Sequence, residues 1–336
     1  MAIQLMDGFD NYKDLTDLDK TYVLDNNDNN IDLITNGGRF GGGAVKTTRS
    51  NDSITFPCNI PVSGTIIFHA SVFYAGDSDD NPIFRFVGSS GTFAEVEGVF
   101  SAAGTYVVVD ENNDTVGSFN IPTSAWVWLE IKINFANAGS VEVRVNNVTV
   151  STGSGDFDAG AGPITSVVWT TVGNGNAFID DVVILDDTGT KLNDFLGDSR
   201  IQTFFPDGDG ANTDWTTTGT SHYTEVNDDP HDGDTTYVES GTAGDRDTFN
   251  FPALNASPET IHAVQVSGIA KKTDANTQFL RGVAISNTTT GTSNGDATLS
   301  NEFSKPLGAI FLDDPNTGTE WTPTDLDNAE FGIEVV

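Results

Sequence analysis

Three small sets of side chains in this 336-residue sequence have the types and spacing to do chemistry. Asp207, Asp209 and Asp214 fall within the stretch DGDGANTD together with two glycines. Carboxylate oxygens brought around a tight turn are the donors a hard cation such as Ca²⁺ takes, so these three are the candidate metal ligands, against the alternative of a plain turn between domains. Glu95 and Glu97, in AEVEGVF, project from one side of a strand, and a carboxyl pair is the machinery of glycoside hydrolysis when its members stand roughly 5 to 9.5 Å apart. Trp126 and Trp128 share a strand face with Glu130, Lys132 and Asn134. Indole rings on a polar face either stack on sugar rings or are covered by protein. Aromatic anchors are typical of subunit interfaces, so Trp126 and Trp128 are expected to be buried against a loop, a second domain or a neighbouring subunit.

Other acidic stretches carry less. DDVVILDDTGTKLNDFLGD, from Asp180 to Asp198, has four apolar residues between Asp pairs, the length of a buried strand rather than an amphipathic helix. Its expected form is a late strand begun by Asp180 and Asp181, ending in a turn at Asp186, Asp187, Thr188 and Gly189. Asp25, Asn27 and Asn29 alternate like the start of an EF-hand loop, but the sixth place lacks Gly and the twelfth is Asn36, which rejects that motif. His69, His222, His231 and His262 are scattered, and neither a GxSxG nor a P-loop occurs, so no nucleophile with a base in reach and no phosphate cradle is written in the chain. After Glu97 come Gly98, Val99 and Phe100, where jelly-roll glucanases carry a third acidic residue; a solvent-facing acidic strand is the expected form.

Composition limits the partners. Asp and Glu number 49 against 15 Lys and Arg, a formal charge of -34, and Lys271 with Lys272 is the largest basic cluster. Such a chain repels nucleic acid and anionic membranes, and the acid excess serves solubility. Cys58 is the single cysteine, which rules out an internal disulfide or a thiolate metal site. The N-terminal segment MAIQLMDGFDNY has neither the basic region nor the apolar run of a signal peptide, and no span approaches the roughly 20 apolar residues of a membrane helix. The expectation is synthesis in a cytoplasm without membrane insertion.

The elements that must position these residues are strands. Thr65 to Tyr74, Ile83 to Val87, Thr105 to Asp110, Trp126 to Phe135, Ser140 to Val150 and Ser166 to Val172 are rich in Val, Ile, Phe, Trp and Thr and are separated by Gly, Asn, Asp and Ser, the pattern of antiparallel strands. Asn146 and Asn147 occupy a tight hairpin. The best helix is short, within Thr322 to Phe331, with Thr322 or Thr324 as its cap. After Gly197 the chain turns polar before strand patterns resume and run to Val336. A boundary near residues 190 to 205 follows, giving domains 1–197 and 198–336. The fold class is all-β: a jelly-roll sandwich and a second, smaller β-sandwich.

The stretches DGFDNY, NGGRFGGGAV, FIDDVVILDDTGTKLNDFLGDSRIQTFFPDGDGANTDW, HYTEVNDDPHDGDTTYVESGTAGDRDTFNF, HAVQVSGIAKK and AEFGIEVV resemble a family of tailed-bacteriophage virion proteins. The resemblance implies a concanavalin A-like (LamG-type) jelly roll followed by a β-rich domain, and a non-enzymatic structural role on the tail or as decoration of the head surface. Its partners would be other virion proteins and further copies of the chain, with no required cofactor and no catalytic residues carried over. Two alternatives stand beside it: a carbohydrate-binding adhesion module that recognises host surface polysaccharide, and, more distantly, a polysaccharide hydrolase.

Overall fold

The computed structural model describes residues 3–26, 30–48, 52–61, 64–75, 82–99, 104–158, 162–170, 176–254 and 260–336. The chain divides into two compact units, Met1–Asp10 with Tyr22–Gln202, and Asn11–Thr21 with Thr203–Val336. The division after Gln202 falls inside the expected boundary region. The assignment of residues 1–197 to one domain takes a correction at its start, because Asn11–Thr21 packs with the second unit.

In the first unit the strands are β1 (Ile3–Asp7), β2 (Val23–Asp25), β3 (Ile31–Ile34), β4 (Ala44–Thr47), β5 (Ser53–Ile60), β6 (Thr65–Tyr74), β7 (Pro82–Gly88), β8 (Gly91–Gly98), β9 (Thr105–Asp110), β10 (Thr115–Asn120), β11 (Trp126–Asn134), β12 (Gly139–Val145), β13 (Val148–Gly155), β14 (Ile164–Thr170) and β15 (Ala177–Asp186). They form a jelly-roll sandwich. One sheet of eight strands is ordered β13-β12-β11-β6-β15-β4-β3, with β1 also pairing β15, and one of seven is ordered β10-β9-β8-β7-β14-β5-β2. Alternation along β6 and β11 turns Ile66, Phe68, Ala70 and Val72 inward beside Ile133, Ile131, Leu129 and Val127. These meet Phe84, Phe86, Phe56 and Trp169 of the facing sheet, all buried, and Phe68 stacks on Phe84 with ring centroids 4.8 Å apart. Burying such a set of large side chains at roughly 25 cal/mol per Å² supplies most of what holds the sheets together.

Two turns show how local chemistry sets the register. Asn146 and Asn147 both take positive φ, 48° and 67°, as a two-residue hairpin loop matching the strand twist requires; the Asn146 side chain also accepts the Trp128 amide at 2.9 Å. The Asp180–Asp181 pair does not start a strand. It lies inside β15 as a bulge, where Asp181 has φ 51° and the pairing with β6 slips between Asp180 and Val183. An acidic pair inside an apolar run marks this interruption of the ladder. The turn that follows is as expected, with Asp186 accepting from the Thr188 amide at 2.8 Å.

The second unit contains α1 (Leu15–Asp19), β16 (Gly208–Thr213), β17 (Thr216–Thr217), β18 (Val238–Glu239), β19 (Arg246–Asn250), β20 (Val264–Ala270), β21 (Phe279–Ser286), β22 (Thr289–Thr292), β23 (Ala297–Thr298), β24 (Ser304–Phe311), α2 (Pro323–Asp327) and β25 (Glu330–Val335). Its main sheet runs β16-β19-β25-β21-β22, with β23 on β21, and β20 pairs β24 separately. Trp321, Phe331, Phe311 and Ala284 form one buried cluster and Trp215, Leu280 and Val335 another. Thr322 caps α2 by accepting the Asp325 amide at 3.2 Å, the role expected of it. The chain reaches Val336 still hydrogen-bonded to Phe279 at 3.1 Å. Asn27 and Asn29 of the rejected EF-hand pattern, and Thr171 and Val172 of the expected strand end, lie outside the described residues. Among the described residues no helix is long and apolar enough to cross a membrane.

Candidate functional site

The outer face of the eight-stranded sheet carries the densest set of chemically capable side chains in the first unit. Antiparallel register places Phe73 opposite Trp126, Ser71 opposite Trp128, His69 opposite Glu130 and Ile67 opposite Lys132, while Arg144 of β12 lies opposite Glu130. Two of these were not apparent from sequence. His69 and Glu130 are each fully buried, with Nδ1 3.1 Å from Oε1. Their signal was an ionisable residue in the middle of each of two long, largely apolar strands.

This face is closed by the chain that follows β15. Phe195 lies 3.9 Å from the Arg144 guanidinium and meets His69 edge-on with centroids 6.4 Å apart. The Gly197 amide donates to Glu130 Oε1 at 3.0 Å, and Lys132 pairs with Asp194 at 3.0 Å. Further along, Arg39 grips both oxygens of Asp198, at 2.6 and 2.9 Å, and the Ile201 amide donates to Asp181 Oδ1 at 2.7 Å. A strap from Asp194 to Ile201 therefore covers the sheet. Asp194 is held below the usual carboxylate range by the Phe195 amide and Lys132, against the opposing effect of burial.

The two tryptophans consequently part ways. Trp128 is fully buried, stacked at 5.8 Å on His69, and is not available to a sugar. It packs on His69, which itself meets Phe195 of the strap. Trp126 remains half-buried, against Phe73 at 5.8 Å and Phe178 at 6.2 Å.

Under the end of the strap, Asp180 and Asp181 form a tightly coupled pair. Asp180 accepts the Arg39 amide at 2.9 Å and the Asp181 amide at 2.6 Å, while Asp181 accepts from Ser71 Oγ at 2.8 Å. Burial first, then the charge of Asp181, pushes Asp180 up to about 8. Burial also raises Asp181, to about 6, though the Ile201 amide, Ser71 and Arg39 oppose it. Each carboxylate is committed to tying a loop or the strap to the sheet.

The outer face of the seven-stranded sheet holds the Glu95–Glu97 pair. Arg85 of β7 is opposite Glu95, with Val109 and Val107 beyond on β9 and Val168 on β14. Burial raises Glu95 to about 7, helped by a hydrogen bond to Glu97 and by the charge of Glu97, with Arg85 acting the other way. What this row offers is two carboxyl groups and a guanidinium side by side. Arg85 Nε is itself buried without a hydrogen-bond partner, a costly state for a charged group.

The candidate calcium ligands are not brought together. Asp209 accepts the Tyr223 amide at 2.7 Å and Asp214 the Arg246 amide at 3.1 Å, while Asp207 is exposed ahead of β16. The intervening residues form a strand instead of wrapping, so the three point to different neighbours. Among the described residues no three His, Cys, Asp or Glu side chains converge as a metal site.

No family model matches the sequence, and no curated protein matches it. Solved structures share the sandwich. The cellulose-induced protein Cip1 aligns at 16% identity and TM-score 0.43 over 57% of this chain and 100% of its own. A protein with a galectin-like fold from Bacillus subtilis aligns at 10% identity and TM-score 0.37 over 55% and 96%. Domain 4 of AbnA, an extracellular arabinanase from Geobacillus stearothermophilus, aligns at 16% identity and TM-score 0.35 over 46% and 75%.

Proposed function

We propose that this chain is a non-enzymatic structural component of a bacteriophage particle, on the tail or head surface, working by protein packing. The observation that carries the reading is what becomes of the most reactive-looking face of the first unit. His69, Glu130, Lys132 and Arg144 are engaged with the strap from Asp194 to Ile201 and Trp128 is buried against His69, so residue types that bind or react elsewhere are taken up here by contacts within the chain. The stretches resembling tailed-phage virion proteins, from DGFDNY to AEFGIEVV, support the same reading and suggest its partners: other virion proteins and copies of itself. Quantitative mass spectrometry of gradient-purified phage particles tests it. A fixed copy number per particle is expected, and absence of the protein from intact particles would reject it.

A second reading has its own observation, the Arg85, Glu95 and Glu97 row on the seven-stranded sheet. A guanidinium beside two carboxyl groups hydrogen-bonds sugar hydroxyls, so an adhesion module would use this face and not Trp128. On a glycan array the wild type would then bind while Arg85→Ala and Glu97→Gln would not; a blank wild-type array removes this reading and leaves the first standing.

A further inference from the structure

The edges of the first unit's sandwich are protected unequally. An exposed strand edge is a template for pairing, and proteins blunt it with charge, shortness, bulges or cover. β2 and β3 are three and four residues long and carry Asp25 and Asp32, the latter paired with Lys46 at 3.4 Å. The β10 edge abuts the second half of β13: a Cβ added to Gly153 would lie 2.0 Å from the Val116 carbonyl oxygen, and one added to Gly117 would lie 2.6 Å from Ser151 Oγ. The first half of β13 is bulged against β12 between Thr149 and Ser151 but carries neither charge nor cover. Val148 is 63% and Val150 37% exposed, two of the most exposed large apolar side chains among the described residues, and Thr149 between them is exposed as well.

Charge selects the occupant. From Val145 to Gly155, VNNVTVSTGSG, no residue is ionisable, in a chain of net charge -34. Two copies of so acidic a molecule repel each other over most of their surface. This neutral edge is where they approach at least cost.

We propose that β13 is a self-association edge. Two copies pair antiparallel through Val148–Val150 about a two-fold axis near Thr149, so that their eight-stranded sheets continue into one another. The contact is isologous and closes at a dimer, with main-chain hydrogen bonds giving affinity and the exposed valines burying apolar area. It stands on the edge alone and needs no particle, so its failure leaves the assembly reading to be judged separately.

Sedimentation equilibrium of the full chain at tens of micromolar tests it. The expected mass is twice the 35.7 kDa of one chain, falling two-fold to a single chain in Val148→Lys/Val150→Lys with an unchanged circular dichroism spectrum. As a second measurement that does not weaken the edge, Thr149→Cys should cross-link to a covalent dimer under mild oxidation. The wild type should not, because its Cys58 thiol is pushed up to about 12 by burial. A monomeric wild type, an oligomer whose mass survives the double lysine variant, a trimer, or a Thr149→Cys chain that stays single would each overturn the proposal.

Discussion

Trp126 and Trp128 sit two residues apart on one face of β11 and end in different environments, Trp128 fully buried against His69 and Trp126 half-buried beside Phe73 and Phe178. The physical consequence is a difference in what each indole is worth. Trp128→Ala removes a fully buried ring and is expected to cost about 3 to 5 kcal/mol in chemical denaturation. Trp126→Ala, at a half-buried ring beside Phe73 and Phe178, should cost about 1 to 2 kcal/mol; equal costs would contradict the difference in burial. The carboxyls make a second residue-scale prediction. Asp180, Glu95 and Asp181 are raised to about 8, about 7 and about 6 in the folded chain, above their unfolded values, so between pH 4 and 8 the native state binds more protons than the unfolded one. Linkage then makes their contribution full at low pH and progressively lost as pH rises through 6 to 8. Melting temperature should fall from pH 5 to pH 8, and Asp180→Asn, which keeps an acceptor for the Arg39 amide, should flatten the fall. A melting temperature that rises over this range, or an unaltered slope in the variant, would contradict the assignment.

At the scale of elements, strands and turns were legible from sequence because their signals are local. β6, β9 and β11 begin where the apolar alternation begins, the Asn146–Asn147 hairpin forms where two asparagines interrupt two β-branched runs, and Thr322 caps the short helix α2. What could not be read were pairings set by distant chain. The acidic pair of β15 reads in sequence as a strand start and proves to be a bulge, while only the β6–β11 register brings His69 to Glu130 and only the β7–β8 register brings Arg85 to Glu95. The calcium candidates show the same limit: sequence proximity put three aspartates within eight residues, but Asp209 is taken up by the Tyr223 amide and Asp214 by the Arg246 amide, both from distant chain. Glycines at edges show the pairing constraint most sharply. Gly153→Ala would set a methyl 2.0 Å from the Val116 carbonyl oxygen, and the separation of β13 from β10 that it forces is expected to cost about 1 to 3 kcal/mol; a variant as stable as the wild type would show that the two strands do not abut.

For the whole molecule, the chain path matters as much as the sheets. Asn11–Thr21 belongs to the second unit, although the first unit follows it in sequence. It is fastened there by His231 Nε2 to Asp17 at 2.6 Å and by Lys305 over the Tyr12 ring at 5.0 Å. His231 and Lys20 hold Asp17 below the usual carboxylate range although burial pushes the other way. A fragment of residues 203–336 should therefore melt well below the same fragment to which residues 11–21 have been fused; identical melting would mean the segment adds nothing. The larger claim is that side chains able to bind or react on the eight-stranded sheet are sealed by the chain itself, leaving packing as the mechanism. Residue-resolved amide hydrogen exchange on the full chain addresses it directly, at the Gly197 and Ile201 amides that donate to Glu130 and Asp181. The account predicts exchange slowed by at least about 100-fold relative to a free peptide, in line with that of β11, since opening the strap must expose the buried His69–Glu130 pair. Exchange at the free-peptide rate would mean an open face, and would contradict it.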